Sequence, residues 1–128
     1  KDLPLRDIYY YQKKMSKMSD KKLSKFDRAF IKDMKRLSIQ DDLVFSHGDY
    51  CLPNILYDRG KVSLIDLDHA GISFRYADIL DCIWSLEYNY GTPAYTAYFL
   101  KAYGIDELDQ KKVEEIKQIH RIMEIKGY

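Results

Sequence analysis

The stretch His47-Gly48-Asp49-Tyr50-Cys51-Leu52-Pro53-Asn54 is followed, twelve residues after Asn54, by Asp66 in Ile65-Asp66-Leu67-Asp68. Asp49, Asn54 and Asp66 have the chemistry that moving a phosphoryl group requires. One carboxylate can align a hydroxyl and take its proton. An amide oxygen and a second carboxylate can hold the cation that neutralises phosphate charge. The plainer reading of His-Gly-Asp alone is a turn with a capping acid. Pro53-Asn54 five residues on, and an acid inside the apolar run from Leu64 to Leu67, argue against that reading.

Working outward, Leu43-Val44-Phe45 reads as a short buried strand entering this loop. Residues 54–57 and 62–67 read as an antiparallel hairpin around Arg59-Gly60. Side chains alternate across a strand, so Asn54 and Asp66 share a face only if paired residue numbers sum to an even value. A three-residue loop, Arg59-Gly60-Lys61, would give that and pair Asn54 with Asp66; otherwise a bulge is needed. Asn disfavours strands, and an unpaired buried carboxylate at Asp66 would be costly, so a bound cation is the simplest compensation. The alternative is a pair of surface polar residues on an edge hairpin.

The remaining pattern is helical. A helix is expected over 4–18. A second follows a Ser19-Asp20 cap, with Leu23, Phe26, Phe30, Met34 and Leu37 as its apolar stripe, and ends in a turn at Gln40-Asp41-Asp42. A third spans 77–90, with Leu80, Ile83, Trp84 and Leu86. Thr92-Pro93 signals the start of a fourth, with Tyr95, Tyr98, Phe99 and Ala102 buried and Gly104 closing it. Asp106 is expected to cap the last helix, whose stripe is Val113, Ile116, Ile119, Ile122 and Met123. The fold class expected is mainly α with a small β-hairpin, one domain over 1–128.

The order Asp49, Asn54, Asp66 resembles the catalytic loop and metal-binding Asp of protein kinases. The stretch from Leu43 to Gly104 is similar to the aminoglycoside phosphotransferases, and among them to the 3′-type enzymes. The resemblance is carried by His47-Gly48-Asp49, Leu52-Pro53-Asn54-Ile55, Ile65-Asp66-Leu67 and Arg75-Tyr76-Ala77-Asp78-Ile79. It implies a kinase-like C-lobe in which Asp49 is the catalytic base, Asn54 and Asp66 bind Mg²⁺, and ATP, or GTP, is the phosphoryl donor. His47 is expected to pack and hydrogen-bond locally. Asp78 is expected to brace the loop, with Arg75 as its partner. Asp68, where the 3′-type enzymes usually carry Gly, either assists the metal or ends the strand. An acid there is similar to choline-kinase-like enzymes, and His69 stands where Arg is often found.

The 128 residues support one core but not a whole kinase-like enzyme. No Gly-rich phosphate loop or strand lysine precedes residue 47, and the chain does not begin with Met. The expectation is a substrate-binding C-terminal lobe, inactive alone, whose partner is a nucleotide-binding N-terminal lobe of the same protein. Charges nearly cancel, 21 basic against 20 acidic, which gives no argument for nucleic acid. Apolar runs are too short to cross a membrane. Cys51 and Cys82 form no spaced motif and suggest a reducing, cytoplasmic setting. An aminoglycoside acceptor needs carboxylates, for which Asp81, Glu87 and Glu124 are the candidates carried forward. Glu114 and Glu115 belong to the same group, though most of these acids sit among lysines as in a solvated helix face. The resembled enzymes usually end in an acidic, aromatic terminus, and this chain ends Glu124-Ile125-Lys126-Gly127-Tyr128. The alternative acceptors are choline, homoserine or a sugar. The alternative class is a non-catalytic binding module.

Overall fold

The computed structural model describes residues 2–18, 20–125 and 127. The described residues form five α-helices and two small antiparallel sheets: α1 (Ile8–Ser16), α2 (Lys25–Asp33), β1 (Leu43–Ser46), β2 (Ile55–Asp58), β3 (Lys61–Leu64), β4 (Gly71–Phe74), α3 (Arg75–Tyr90), α4 (Ala94–Tyr103) and α5 (Gln110–Ile125). The sheet of β1 and β4 packs against the helices, and β2 and β3 project as an exposed hairpin. The mainly helical expectation holds. The second sheet, β1 with β4, is an addition that the sequence pattern did not reveal.

The first helix begins later than its apolar spacing suggested. Residues before it run extended beside β4, where Ile72 N donates to Pro4 O and Arg6 N to Ile72 O, both at 2.8 Å. Asp7 then caps α1, its Oδ1 accepting from Tyr10 N. Ser19 and the side chain of Asp20 lie outside the described residues, as does Tyr128. The cap of α2 is Ser24, in a reciprocal capping box with Asp27. Asp27 is buried and also accepts from Arg121 and Gln118, tying α2 to α5. Phe26 is 83% exposed, and the expected helix through Leu37 breaks after Asp33 into 3₁₀ turns; Ile31 is the buried apolar residue of α2, with Leu23 before it and Met34 after it also buried.

The core joins Met15, Met34, Ile39, Phe74 and Ile79 to the α5 stripe Val113, Ile116, Ile119, Ile122 and Met123, the stripe being buried as expected. Each such side chain contributes about 1.5–3 kcal/mol when fully buried. Three other expectations need correction. Phe45 in β1 faces solvent while Ser46 is buried, because Ser46 has a buried hydrogen-bond partner in α3. Tyr95, Tyr98 and Ala102 are exposed on α4; Phe99, Leu100 and Tyr103 pack inward. Asp109, not Asp106, caps α5, its Oδ1 accepting from Lys111 N and Lys112 N. Thr92 does accept from Ala94 N, and Gly91 and Gly104 close α3 and α4 in the left-handed conformation.

Candidate active site

The loop from Ser46 to Asn54 hangs between β1 and β2, and α3 fixes both of its halves. Asp78, in the first turn of α3, accepts from Ser46 Oγ at 2.8 Å, His47 N at 2.9 Å and Gly48 N at 3.2 Å. One buried carboxylate thus satisfies three donors of the loop, and the loop compensates its burial. Two turns further along α3, buried Ser85 Oγ accepts from Leu52 N at 2.9 Å. Arg75 does not pair with Asp78. Its Nε donates to Asp42 Oδ1 at 2.8 Å, and Lys112 reaches Asp42 Oδ2, so this cluster secures the start of β1. Asp78 already has three donors, which leaves Arg75 to the acid across the β1–β4 pair.

His47 is a strut. Its Nδ1 accepts from Asp49 N at 3.2 Å, so its Nε2 is the protonated nitrogen, donating to Ile65 O at 2.8 Å. Ile65 N donates in turn to Asn54 O. The peptides flanking Ile65 are therefore tied to both ends of the Asp49 loop, and Asp66 follows directly. Gly48 has φ +85°, and a Cβ there would stand 2.4 Å from the His69 carbonyl oxygen. Only glycine fits between this backbone and His69.

Asp49 and Asn54 meet. Asn54 Nδ2 donates to Asp49 O at 2.9 Å and to Asp49 Oδ2 at 3.1 Å. The other carboxylate oxygen accepts from the Cys51 thiol at 3.4 Å. Burial first, and then the hydrogen bond to Asp49, push the Cys51 thiol up to about 12, so it remains a proton donor. The Asn54 amide nitrogen is committed to Asp49, which turns Oδ1 away as an available oxygen.

The hairpin register differs from the even-sum expectation. Asp58 pairs with Lys61 and Ile55 with Leu64, so the loop is the two residues Arg59-Gly60, both at positive φ, as a type I′ turn requires. Asn54 lies in a short 3₁₀ turn (Leu52–Asn54) before β2, and Asp66 lies beyond β3 at φ +58°. Strand parity therefore does not govern either side chain; the left-handed kink at Asp66 does. Asp66 is exposed, not buried in the apolar run, and accepts no hydrogen bond or ion pair among the described residues. Asn54 Oδ1 and the Asp66 carboxylate are hard oxygens of the kind that Mg²⁺ takes alongside phosphates and water. Asp68 is exposed in the turn before β4, which is compatible with its strand-ending reading. No group of three or more His, Cys, Asp or Glu side chains forms a metal cluster among the described residues.

Asp49 lines a cleft of about 660 Å³ on its other side. Two of the expected acceptor-side acids, Asp81 and Glu124, line it too. Burial, then repulsion from Asp78 and Asp49, raises the Asp81 carboxyl to about 7. Glu87 is not in the cleft; it accepts from Thr96 on the exposed face of α3. Glu115 is buried and receives Ser38 N, Ser38 Oγ and Ile39 N, while Glu114 pairs with Lys117 at the surface. The cleft also holds Arg6, Tyr10 and Lys14, which the sequence reading did not single out. Tyr10 and Lys14, four residues apart, share one face of α1, whereas Arg6 lies in the extended segment before it, where no local signal marked it.

The site thus combines a loop braced from a helix, a carboxylate held by an asparagine five residues on, and an acid exposed at a kink beyond a hairpin. The chain belongs to the phosphotransferase enzyme family, whose sequence profile matches residues 5–116. It is 51% identical over 76 residues to the aminoglycoside 3′-phosphotransferase of Niallia circulans, covering 59% of this chain and 29% of that protein. It is 42% identical over 81 residues to the probable aminoglycoside 3′-phosphotransferase of Lactococcus lactis subsp. lactis, covering 62% and 30%. An Escherichia coli aminoglycoside 3′-phosphotransferase is 35% identical over 81 residues, covering 62% and 29%. The chain thus spans about three-tenths of the length of the curated relatives it matches. No helix among the described residues is long and apolar enough to cross a membrane.

Proposed function

We propose that the chain is the acceptor-binding lobe of a kinase-like enzyme that transfers the γ-phosphoryl group of ATP, or GTP, to a hydroxyl of a small molecule. The acceptor favoured by its relatives' names is an aminoglycoside. The observation that carries the reading is the double hydrogen bond from Asn54 Nδ2 to Asp49. It orients the carboxylate that would align the acceptor hydroxyl and take its proton late in transfer. It also frees Asn54 Oδ1 to bind Mg²⁺ with Asp66. Magnesium held there would supply positive charge against the nucleotide's phosphates.

In this reading Asp49 divides two half-sites. The acceptor lies in the cleft, where Glu124 offers negative charge to ammonium groups and Asp81 a carboxyl that a bound ammonium would draw into its charged form. The nucleotide lies on the hairpin side. Leu56, Val62, Leu64, Ile65 and Leu67 are each at least 41% exposed there, an apolar surface that suits cover by a nucleotide-binding lobe of the full-length protein. The 128 residues alone would bind nucleotide weakly and turn over none. A cytoplasmic location fits a nucleotide-dependent reaction and the free Cys51 and Cys82.

Homoserine, choline and sugars are the competing acceptors, favoured by Asp68. The test is turnover of MgATP and MgGTP by the full-length protein with kanamycin-type aminoglycosides, choline and homoserine. Phosphorylated aminoglycoside, lost in Asp49→Asn, is expected. Turnover only with choline or homoserine would overturn the acceptor assignment, and turnover with no acceptor would overturn the reaction.

A further inference from the structure

The cleft is bipolar, and its positive wall has no role in holding a cationic acceptor. Arg6 lines it, and its backbone is fixed on both sides: Arg6 N donates to Ile72 O, and Arg6 O accepts from Ser73 Oγ at 3.0 Å. Its side chain is anchored as well, Nη1 donating to the His69 carbonyl at 2.6 Å. That carbonyl is the atom pressed against Gly48, the residue before Asp49. The guanidinium is thus one peptide oxygen away from the loop that carries the base. No carboxylate pairs with Arg6 among the described residues. Beside it, Lys14 Nζ donates to Tyr10 OH at 3.2 Å and lies over the Tyr10 ring. The Tyr10 phenol is lowered, first by its hydrogen bond to Lys14 and also by Arg6, which brings both cations to one spot.

We infer that Arg6 is a catalytic residue that grips the phosphoryl group as it passes to the acceptor, with Tyr10 and Lys14 extending the same anion subsite. The inference rests on the phosphotransferase reading above. In that reaction the bond from the leaving nucleotide oxygen to phosphorus breaks, and its electron pair stays on the nucleotide diphosphate. The acceptor oxygen bonds to phosphorus, and its proton goes to Asp49. The phosphoryl oxygens end on the cleft side of Asp49, where reacting atoms must sit within about 3–3.5 Å of each other. A planar guanidinium with N–H groups beyond the one given to His69 matches two of those oxygens at once. Its nearness to Gly48 favours the transferred group over a remote part of the acceptor.

The test is kinetics of Arg6→Ala and Arg6→Lys in the full-length protein, together with binding of MgADP in the presence and absence of aluminium fluoride. The expected result for Arg6→Ala is a fall in kcat of about a hundredfold, with the acceptor KM changed by less than about threefold. Tightening of MgADP by aluminium fluoride should be lost while MgADP alone still binds. Added guanidinium should restore part of kcat. Arg6→Lys keeps a donor for the His69 carbonyl and hence the fold, and should lose about tenfold in kcat. An unchanged kcat in both variants, or a raised acceptor KM at constant kcat, overturns the inference. Wild-type protein that turns over no nucleotide with any acceptor instead overturns the reading beneath it.

Discussion

Asn54 Nδ2 lies 3.1 Å from Asp49 Oδ2 and 2.9 Å from the Asp49 carbonyl oxygen, so a single amide group holds both the main chain and the carboxylate of the residue five before it. The 3₁₀ turn Leu52–Asn54 makes this possible by folding the chain back on itself, with Asn54 N donating to Cys51 O. The spacing is thus a closure length. One residue more or fewer would take the amide off the carboxylate.

Asn54→Asp keeps the shape but replaces two donated hydrogen bonds with a carboxylate facing a carbonyl and a carboxylate. Stability is expected to fall by about 1–3 kcal/mol at pH 7 and to recover on acidification as one acid of the pair protonates. Urea unfolding at pH 5 and pH 7 measures it; equal stability to wild type at pH 7 contradicts the bond pattern.

Asp78→Ala leaves Ser46 Oγ and the His47 and Gly48 amides without their acceptor. Loss of about 3 kcal/mol or more is expected, since each buried unsatisfied group costs about 1–3 kcal/mol. Asp78→Asn retains an acceptor oxygen and should lose less. Amide hydrogen exchange at His47 and Gly48 should accelerate in both variants, and in Asp78→Ala most.

Gly48→Ala drives a methyl group into the His69 carbonyl at a left-handed φ. We expect a thermal midpoint lowered by several degrees, consistent with roughly 1–3 kcal/mol of backbone strain and overlap. A midpoint within a degree of wild type would show that the two backbones are not in contact.

The Asp81 carboxyl titrates near 7 instead of its ordinary 3.8, because of burial, then Asp78 and Asp49. The folded state therefore prefers it protonated. Its contribution to stability is complete below about pH 4 and is lost as pH rises through about 7. Asp81→Asn should match wild type near pH 4. At pH 8 it should be more stable by on the order of 1–2 kcal/mol, a value discounted for the partial exposure of the site. Denaturant midpoints from pH 4 to 8 decide it; parallel curves would refute the shift.

The Cys51 thiol, pushed to about 12, should resist alkylation. At pH 8 its rate with iodoacetamide should be at least about tenfold below that of the unfolded chain, where the thiol has its ordinary pKa, the smaller thiolate fraction outweighing its greater nucleophilicity. Mass-resolved alkylation kinetics with and without urea give the comparison, and equal rates would refute the raised thiol.

Local chemistry was legible in the sequence wherever it depended on neighbours along the chain. The five-residue step from Asp49 to Asn54, the α5 stripe and the left-handed Gly104 are properties of short segments, and the structure shows them so. Where the reading failed, a distant partner had overridden a local preference. Phe26 and Phe45 fit an apolar pattern yet face solvent, because the opposite faces of their elements hold Asp27 and Ser46, whose partners Arg121 and Asp78 lie about 94 and 32 positions away in sequence. Arg75 sits three residues from Asp78 on one helix, yet its bond runs across the sheet to Asp42.

By itself, then, the sequence determined which polar groups stand at Asp49, Asn54 and Asp66, their spacing, and the helical architecture around them, because residue type and short-range periodicity carry these. Tertiary structure alone decided how the three residues are presented. A two-residue turn and a left-handed Asp66 replaced the strand register that alternation implied. His47 bound the Asp66 segment to the loop, and an extended N-terminal segment brought Arg6 to the His69 carbonyl 63 residues away in sequence. Those contacts depend on chain closure over long separations, which no local pattern of side chains encodes.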